Sequence, residues 1–312
     1  MQRRGPPGGV RPGGRDVSEP AAHGGPGSNP ALAVVAVTFS PGEALDRFLD
    51  TLEKAVAAPY EVVLADNGST DGAPQRAAGR PGVRLLETGG NLGYGGAANR
   101  GVASTRAPLV LVANPDVTFE PGALDTLLEA VGRWPHGGAF GPLIRRPDGS
   151  RYPSARALPS LWRGIGHALC GWWWSGNPWT RAYRQDRGVP VEREAGWLSG
   201  SCLLLRRQAF DAVGGFDPGY FMYFEDTDLC ERLGRAGWRC VYVPSATVIH
   251  EGAHATRHHR GAMVQAHHRS AYRYLSRRYP GLRNLPLRAV LRAGLAARAG
   301  LARLLPEVGR GT

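Results

Sequence analysis

The stretch ALAVVAVTFSPGEALDRFLDTLEKAVAAPYEVVLADNGSTDG (31–72) contains two apolar segments on either side of an amphipathic one. Residues 31–39 are almost continuously apolar, and YEVVLAD (60–66) repeats this pattern. Both are typical of strands that are buried in a parallel sheet. Between them, apolar residues recur at the spacing of a helix: Leu45, Phe48, Leu49, Leu52 and Val56. The stretch therefore predicts a strand–helix–strand unit.

The same alternation continues as far as residue 134. VRLLET (83–88) and PLVLVANPD (108–116) are further strands, and PGALDTLLEAVGRW (121–134) is a helix. GGNLGYGGAANRGVAST (89–105) is a glycine-rich loop that leads into a helix. This alternation predicts an α/β fold in which helices flank a mostly parallel central sheet. Ligands of such sheets bind at the carboxyl ends of the strands. The polar residues at those ends are Thr38, Asp66, Asn91, Asn114 and Asp116.

The second half of the chain is less regular. SCLLLRR (201–207) and CVYVPSATVIH (240–250) are strands, and the Asp-Gly pair in RRPDGSRY (145–152) indicates a turn. DTDLCERLGRAG (226–237) is a helix with Asp226 near its N-cap.

The net charge of +12 is concentrated at the two ends of the chain. Residues 251–312 hold twelve Arg against Glu251 and Glu307, whereas residues 31–250 are neutral. A neutral middle argues against a nucleic-acid groove in the core, so no nucleic-acid partner is expected. LPLRAVLRAGLAARAGLARLLP (285–306) reads as a basic amphipathic helix. It either lies on an anionic membrane surface or docks on the chain's own core or on a dimer partner.

The cysteines and the N-terminal segment indicate a cytoplasmic protein. Residues 1–30 are rich in Gly, Pro and Arg, which predicts disorder rather than a signal peptide. No apolar run reaches the eighteen residues of a transmembrane candidate. The segment GWWW (171–174) is either an aromatic patch facing an acceptor or part of a core. The four cysteines lack C-x-x-C spacing, which favours reduced thiols: Cys170, Cys202, Cys230 and Cys240.

Several strand-end motifs are ambiguous when each is taken alone. GYGGAA (93–98) matches a dinucleotide fingerprint. It follows the third strand rather than the first, however, and a tight turn that lets the backbone approach a ligand is the alternative. Asp116 suits a divalent cation that bridges diphosphate oxygens, or else its turn only caps a helix. Asp66 accepts from a ribose or a base, or else forms an Asx-turn. His250 ends the last strand, where a lone histidine is more often structural.

YFMYFEDTDLCERLGRAGW (220–238) carries three carboxylates directly after an aromatic run. They are Glu225, Asp226 and Asp228. Carboxylates avoid apolar surroundings unless a function uses them, so this cluster is a candidate for acid–base chemistry.

Six stretches, in this order, resemble the inverting glycosyltransferases of family 2, which have the GT-A fold. They are VAVTF, VVLADNGSTDG, NLGYGGAANRG, LVANPDV, GWLSGSCLLLRR and GGFDPGYFMYFEDTDLCERLGRAGW, and they cover roughly residues 33–250. The NPD and F-x-Y-x-E-D-x-D-L patterns are similar to those of the rhamnosyltransferase-like branch. The chain looks like enzymes that add L-rhamnose to polyprenyl-diphosphate-linked N-acetylglucosamine in cell-wall biogenesis.

The resemblance implies three segments. Residues 1–30 are a tail, and residues 31–255 are the GT-A domain. Within that domain, residues 31–120 form the nucleotide-binding half and residues 121–255 the acceptor half. Residues 256–312 are a basic helical extension that lies against a membrane surface if the amphipathic helix binds there.

The resemblance also implies roles for the donor side, position by position. Thr38 and Asp66 match positions that hold the nucleotide base and ribose, and Asn91 lies in the loop beside the donor. Asp116 matches the metal-binding acid of the D-x-D element, in which Asn114 replaces the first acid.

On the metal and acceptor sides, His250 matches a late metal-contacting position of some relatives. The implied cofactor is therefore Mg²⁺ or Mn²⁺, bound by Asp116 and His250. Asp226 matches the catalytic base, with Glu225 beside it in the Glu-Asp pair. The residues that fall on the acceptor side are Trp197, Gly200 and Asp228.

The chemistry agrees with this assignment. Inversion needs one base for the acceptor hydroxyl and a cation for the leaving diphosphate, whereas a glycosidase needs two carboxylates that flank the bond.

The expected donor is dTDP-L-rhamnose; a UDP-hexose donor with a polysaccharide acceptor is the alternative. A non-catalytic basic protein that binds membranes or nucleic acid is the alternative from another class. The expected location is the inner face of the cell membrane, and a homo-oligomer is left open.

Overall fold

The computed structural model describes residues 30–159, 188–252 and 260–304, with side chains in the last range from 263 to 296. The tail predicted to be disordered therefore lies outside the described residues, except for Pro30. The tryptophan-rich GWWW segment and Cys170 also lie outside them.

The first half alternates strands and helices, as predicted. Its elements are β1 (Leu32–Thr38), α1 (Ala44–Ala55), β2 (Tyr60–Asp66), α2 (Ala73–Ala77), β3 (Val83–Glu87), α3 (Gly93–Ala103), β4 (Leu109–Ala113), β5 (Val117–Phe119) and α4 (Ala123–Arg133). The apolar stripe of α1 is buried, and so is the whole of β1, because both faces of this strand are covered by helices.

The second half contains shorter strands and the helices of the extension. Its elements are β6 (Gly137–Arg145), β7 (Arg151–Tyr152), β8 (Ala155–Arg156), β9 (Arg193–Ala195), β10 (Trp197–Leu198), β11 (Cys202–Arg206), α5 (Arg207–Ala212), α6 (Glu225–Arg235), β12 (Arg239–His250), α7 (Arg260–Arg278), a 3₁₀ turn (Leu282–Asn284) and α8 (Leu285–Leu304). The predicted turn at the Asp-Gly pair joins β6 to β7, which pair antiparallel.

The described strands form a sheet in the order β3-β2-β1-β4-β11-β6-β12-β5, with β7 added to β6 and β9 to β12. Strands β3, β2, β1 and β4 are parallel, and β6 is parallel to β12. β11 runs antiparallel between β4 and β6. β8 and β10 form a separate antiparallel pair. The mostly parallel sheet flanked by helices is confirmed.

Alternate residues of β1 feed two cores, one on each face of the sheet. Leu32, Val34 and Ala36 pack against α1 and α4, while Ala33, Val35 and Val37 pack with α3 and α6. The parallel register aligns Thr38 with Asp66. The carboxyl ends of β1 and β2 therefore meet at one edge of the sheet, where the predicted polar residues lie.

Strand β6 was not predicted, because its sequence GGAFGPLIR reads as turn chemistry. The glycines of β6 are needed for close packing: a Cβ at Gly137 would lie 2.2 Å from the Phe140 ring, and one at Gly141 would lie 3.1 Å from Leu198. Pro142 pairs with Val243 at a register shift in β12, where the ladder is already interrupted.

The basic extension begins with a helix that packs on the main domain. Tyr274 on α7 is 2% exposed, and Arg278 forms an ion pair with Glu231 of α6 at 2.7 Å. Helix α7 of the extension therefore docks on the main domain, whereas the alternatives stated for residues 285–306 concern α8. Helix α8 lies against α7 but leaves large apolar side chains exposed, with Val290 69% accessible. Among the described residues, no helix is both long and apolar enough to cross a membrane.

Candidate active site

Asp66 ends β2 as an organised acceptor of hydrogen bonds. Thr38 Oγ1 donates to its Oδ1 at 2.8 Å, and Ser69 N donates to its Oδ2 at 3.1 Å. Ser69 Oγ also donates to Oδ1. Thr38 is fully buried. The structure therefore places Thr38 behind Asp66, where it orients the carboxylate.

Asn67 was missed in the sequence, although it directly follows the strand-ending acid. Its Nδ2 donates to Asn91 Oδ1 at 3.1 Å, and its Oδ1 accepts from Leu92 N at 2.8 Å. Thr88 Oγ1 donates to the Asp66 carbonyl at 2.8 Å. Asn67 thus ties the β2 end to the loop that carries the exposed Asn91. The available sequence signal was an amide side chain at the end of a buried strand.

The glycines of the 93–98 segment serve a close approach within the chain itself. Gly93 has a φ of 75°, and a Cβ there would lie 2.1 Å from the Phe221 carbonyl oxygen. Tyr94 N donates to that same oxygen at 3.0 Å. A Cβ at Gly95 would lie 2.9 Å from Phe216. The glycines therefore let the segment that carries the acidic cluster dock on α3, which accounts for them without a dinucleotide.

Asn114, Asp116 and His250 come together at the edge of the sheet. His250 Nε2 lies 3.1 Å from Asp116 Oδ1 and 3.1 Å from Asn114 Nδ2. Asp116 is 8% exposed, and its buried Oδ1 accepts no hydrogen bond from the part of the chain that the structure describes. A buried carboxylate oxygen that lacks a donor fits a cation. Among the described residues no three His, Cys, Asp or Glu side chains converge, so further ligands of a metal would come from substrate and water.

The turn before α6 has an unusual backbone. Tyr223 and Phe224 both have a φ of 68°, a region that costs a non-glycine residue about 1–2 kcal/mol. Phe224 occupies the N-cap without a side-chain cap. Asp226 is thus the second residue of α6 and not its cap. Helix α7 packs on this turn, since Ser270 Oγ donates to the Met222 carbonyl at 2.8 Å.

Asp226 is partly exposed, and both of its oxygens accept hydrogen bonds. Gly200 N donates to Oδ2 at 3.0 Å, and Thr227 N donates to Oδ1 at 2.6 Å. Burial raises the pKa of Asp226, while these donors and the charge of Arg156 oppose that rise. The result is a fixed, accessible carboxylate whose basicity is increased.

The other two acids of the cluster are in different surroundings. Glu225 is 7% exposed and its Oε2 has no hydrogen-bond partner among the described residues. Burial, together with the charge of Asp226, raises the pKa of Glu225 to about 8. Asp228 forms a 2.7 Å ion pair with Arg232 and lies 3.5 Å from the Tyr220 hydroxyl. The structure therefore places Asp228 in a packing role within α6, away from the open side of Asp226.

Trp197 and Gly200, predicted on the acceptor side, lie beside Asp226. The Arg156 guanidinium stacks 5.2 Å from the centre of the Trp197 ring, and Trp197 Nε1 is buried without a hydrogen-bond partner among the described residues. Tyr94, a residue missed in the sequence, donates its hydroxyl to the Gly200 carbonyl. The structure thus brings the candidate base Asp226, the ring of Trp197 and the candidate metal ligand Asp116 to one edge of the sheet.

A family model and several known proteins resemble this chain in sequence, in agreement with the structure. The family model described as Glycosyl transferase family 2 matches residues 33–214. The N-acetylglucosaminyl-diphospho-decaprenol L-rhamnosyltransferase of Mycobacterium tuberculosis is 56% identical over 282 residues, which cover 86% of this chain and 92% of that protein. Rhamnosyltransferase WbbL of Escherichia coli is 45% identical over 82 residues, covering 26% of this chain and 31% of that protein.

A solved mannosyltransferase from Pyrobaculum calidifontis, in complex with GDP-Man and Mn²⁺, has a TM-score of 0.54 at 18% identity and covers 91% of this chain and 78% of that chain. At this identity the likeness shows the fold alone, and it confirms the expected GT-A architecture. Together with the family match over residues 33–214 and the extended identity to the mycobacterial enzyme, it makes the assignment plain: the chain is a transferase that belongs to glycosyltransferase family 2.

Proposed function

We propose that this chain transfers L-rhamnose from dTDP-L-rhamnose to N-acetylglucosamine on a polyprenyl diphosphate, with Asp226 as the general base. One observation carries the base assignment. Of the three acids in the cluster, Asp226 alone combines partial exposure, fixed orientation and no arginine within ion-pair distance among the described residues. The proposed substrates are supported by the 56% identity to the mycobacterial rhamnosyltransferase along 92% of its length.

The proposed reaction uses one carboxylate, that of Asp226, and one leaving group, dTDP. Asp226 takes the proton of the acceptor hydroxyl, whose oxygen forms a bond to the anomeric carbon of rhamnose. The bond from that carbon to the dTDP oxygen breaks on the opposite face, so the configuration inverts. The raised pKa makes Asp226 a better proton acceptor, and the Gly200 amide holds it in place.

A divalent cation, Mg²⁺ or Mn²⁺, would be held by Asp116 and His250. The buried Oδ1 of Asp116, which lies 3.1 Å from His250 Nε2 and accepts no hydrogen bond among the described residues, supports this site. When bound, the cation neutralises charge on the departing diphosphate. Asn114 contributes through its contact with His250 and is not needed as a second acid. Asp66 and Asn91 would bind the nucleoside end of the donor, since Asn67 joins their loops.

An anionic membrane surface is the proposed partner of α8, at the cytoplasmic face of the cell membrane. Leu282, Leu285 and Val290 are 81%, 50% and 69% exposed. Arg283 and Arg292 lie on the same segment, and residues 252–304 contain no Asp or Glu. Exposed apolar side chains beside unopposed positive charge are typical of a segment that lies on anionic lipid.

The decisive experiment is a transfer assay with a matched pair of variants. Purified protein is given dTDP-L-rhamnose, UDP-glucose or GDP-mannose with polyprenyl-diphosphate N-acetylglucosamine, and the product mass is measured. We expect a gain of one deoxyhexose with the rhamnose donor alone, lost in Asp226→Asn and retained in Glu225→Gln. Transfer from another donor would replace the donor assignment, and full activity of Asp226→Asn would replace the base.

A further inference from the structure

Five arginines of the acceptor half lie on short strands and a hairpin around the end of β6, and we call them the arginine patch. They come from the end of β6, the β6–β7 hairpin, β8 and β9, and they are Arg145, Arg146, Arg151, Arg156 and Arg193. Cross-strand pairing brings them together, because Arg145 pairs with Arg151 and Arg193 pairs with Tyr242.

Aromatic faces hold several of these guanidinium groups. Arg146 and Arg156 stack on the Tyr152 ring, at 5.5 and 5.6 Å from its centre. Arg193 stacks 5.5 Å from the centre of the Tyr242 ring. Stacking of this kind fixes the plane of a guanidinium group while its N–H groups still point outward. The side chains are therefore partly ordered before any ligand arrives.

Three arginines of the patch, Arg145, Arg151 and Arg193, have no carboxylate partner among the described residues. On neighbouring surface, Arg239 forms an ion pair with Glu194, and Arg133 with Glu192. By contrast, Arg145, Arg151 and Arg193 donate only to backbone carbonyls among the described residues: those of Gly149, Gly188, Glu194 and Ala155.

Two further observations describe the charge of the patch. Burial raises the pKa of Tyr242, and the charges of Arg151, Arg193 and Arg145 act against this rise. Three positive charges thus converge on one phenol. The acid of the hairpin, Asp148, is exposed and accepts from Ser150 N at 2.8 Å, so it leaves most of the charge uncompensated.

The patch adjoins the active site at two places, near Asp226 and near His250. Arg156 pairs with Trp197 across β8 and β10, and its charge acts on Asp226. Arg145 pairs with Ile249, the residue before His250. An anion on the patch would therefore lie on the acceptor side of the base, next to the sheet edge that holds Asp116.

We infer that the arginine patch binds the diphosphate of the lipid-linked acceptor. This inference rests on the proposed function, in which the sugar that is attacked carries a diphosphate on its own ring. The diphosphate then lies within one sugar ring of the hydroxyl that faces Asp226. Guanidinium groups bind phosphate oxygens through two parallel hydrogen bonds, and Arg145, Arg151 and Arg193, which have only backbone acceptors among the described residues, provide such donors. The patch selects acceptors by their diphosphate and orients the sugar at the base.

The kinetic test compares two acceptors in one set of variants. Arg145→Gln, Arg193→Gln and the double variant are assayed with the diphosphate-linked acceptor and with octyl N-acetylglucosaminide, which has no diphosphate. The control is Arg239→Gln, a nearby arginine with a carboxylate partner. We expect KM for the diphosphate acceptor to rise about tenfold in each single variant and further in the double variant. KM for the neutral acceptor and for dTDP-L-rhamnose should stay unchanged, and the control should match the wild type.

Two results would overturn the inference. An equal rise in KM for both acceptors would show that the patch only supports the fold. A rise confined to dTDP-L-rhamnose would show that it binds the diphosphate of the donor.

A binding measurement separates this inference from the proposed reaction. Geranyl diphosphate is titrated into the full chain by calorimetry without divalent metal, so that a metal at Asp116 cannot hold it. We expect saturable binding that the Arg145→Gln/Arg193→Gln variant loses and Arg239→Gln keeps, and that geranyl alcohol does not reproduce. If binding follows this pattern but no rhamnose is transferred, the proposed function fails and the patch stands. If rhamnose is transferred but the double variant binds geranyl diphosphate like the wild type, the patch assignment fails alone.

Discussion

The Gly200 amide donates to Oδ2 of Asp226 at 3.0 Å, while the Gly200 carbonyl accepts from the Tyr94 hydroxyl. The next carbonyl along the chain, that of Ser201, accepts from Asn114 N at 2.9 Å. Residues 199–201 thus join the candidate base to the turn that carries the candidate metal acid. This turn fixes the position of the base relative to the donor site.

Replacing Gly200 by alanine should displace the base without unfolding the protein. A Cβ there would lie 3.3 Å from Asp226 Cβ and 3.6 Å from its Oδ2, so the carboxylate must move by tenths of an ångström. We expect kcat to fall about 10- to 100-fold with an unchanged KM for the donor, because misplaced catalytic groups cost this much. Steady-state kinetics measure both. The control is Gly234→Ala on the exposed side of α6, where nothing lies within 4 Å; it should keep full activity.

Asp226→Asn and Glu225→Gln should differ sharply in activity. Both Asp226 oxygens accept from N–H groups, and an amide can satisfy only one of these donors. The variant therefore loses basicity, worth roughly 10²–10⁴ in kcat, and also about 1–3 kcal/mol of stability. Glu225 is largely neutral at pH 7 because its pKa is raised, so glutamine is a close replacement. Turnover and urea unfolding of both variants test this, and equal losses of turnover would contradict it.

The fold could be predicted far better than the detail of the site. Continuous apolar runs such as 32–37 specify buried strands locally, and both first-half strands around α1 were located correctly. Strand β6 was not predicted, because its glycines and Pro142 fit partners that are distant in the sequence. Gly141, for example, packs against Leu198. The strand propensity of the residues themselves carries no information on such contacts.

The features of the site that could not be predicted also depend on contacts between residues distant in the sequence. Asp66, Asp116 and Asp226 could be named because acids at strand ends and after aromatic runs stand out. Tyr94 could not be named, since its importance depends on a hydrogen bond to a residue over a hundred positions away. The expectation that Asp226 lies near the N-cap is confirmed, since Phe224 is the N-cap and Asp226 is the second residue of the helix. Its hydrogen bond from Gly200 could not be predicted, because Gly200 is distant in the sequence.

Burial of the acidic pair should make stability fall as pH rises. The pKa of Glu225 is about 8 in the folded chain against 4.5 in an ordinary environment. Between these values the folded state binds more protons than the unfolded state, so the free energy of unfolding decreases with pH, by at most about 1.4 kcal/mol per unit. Asp226 contributes with the same sign. Urea unfolding at about pH 5.5 and about pH 8 should show a flatter dependence for Glu225→Gln. An unchanged slope in that variant would mean that Glu225 is ionised throughout.

Helix α7 should be required for the structure of the site. Tyr274 is buried, and its ring lies 5.5 Å from that of Phe224, one of the two strained residues before Glu225. Tyr274→Ala should cost about 3–5 kcal/mol and lower kcat even where the protein is folded, because the turn relaxes. Thermal unfolding and kinetics below the transition measure the two effects. Gln265→Ala, at an exposed position of the same helix, serves as the control and should change neither.

The last prediction concerns the cation. Asp116 Oδ1 is buried, accepts no hydrogen bond among residues 30–159, 188–252 and 260–304, and lies 3.1 Å from His250 Nε2, so a metal could be held between these two side chains. Asp116→Asn should weaken Mn²⁺ binding, measured by electron paramagnetic resonance with dTDP present, by about tenfold or more. His250→Gln should weaken it less, since a carboxylate supplies charge and an imidazole does not. The control is Asp71→Asn, an acid whose oxygens already accept from Gly42 N and Ala73 N; it should bind Mn²⁺ normally. If Asp116→Asn bound Mn²⁺ as tightly as the wild type, or if turnover persisted in EDTA, the departing diphosphate would have to be neutralised by the chain's own cations. The arginine patch, beside His250 at Arg145, would then be the first place to look.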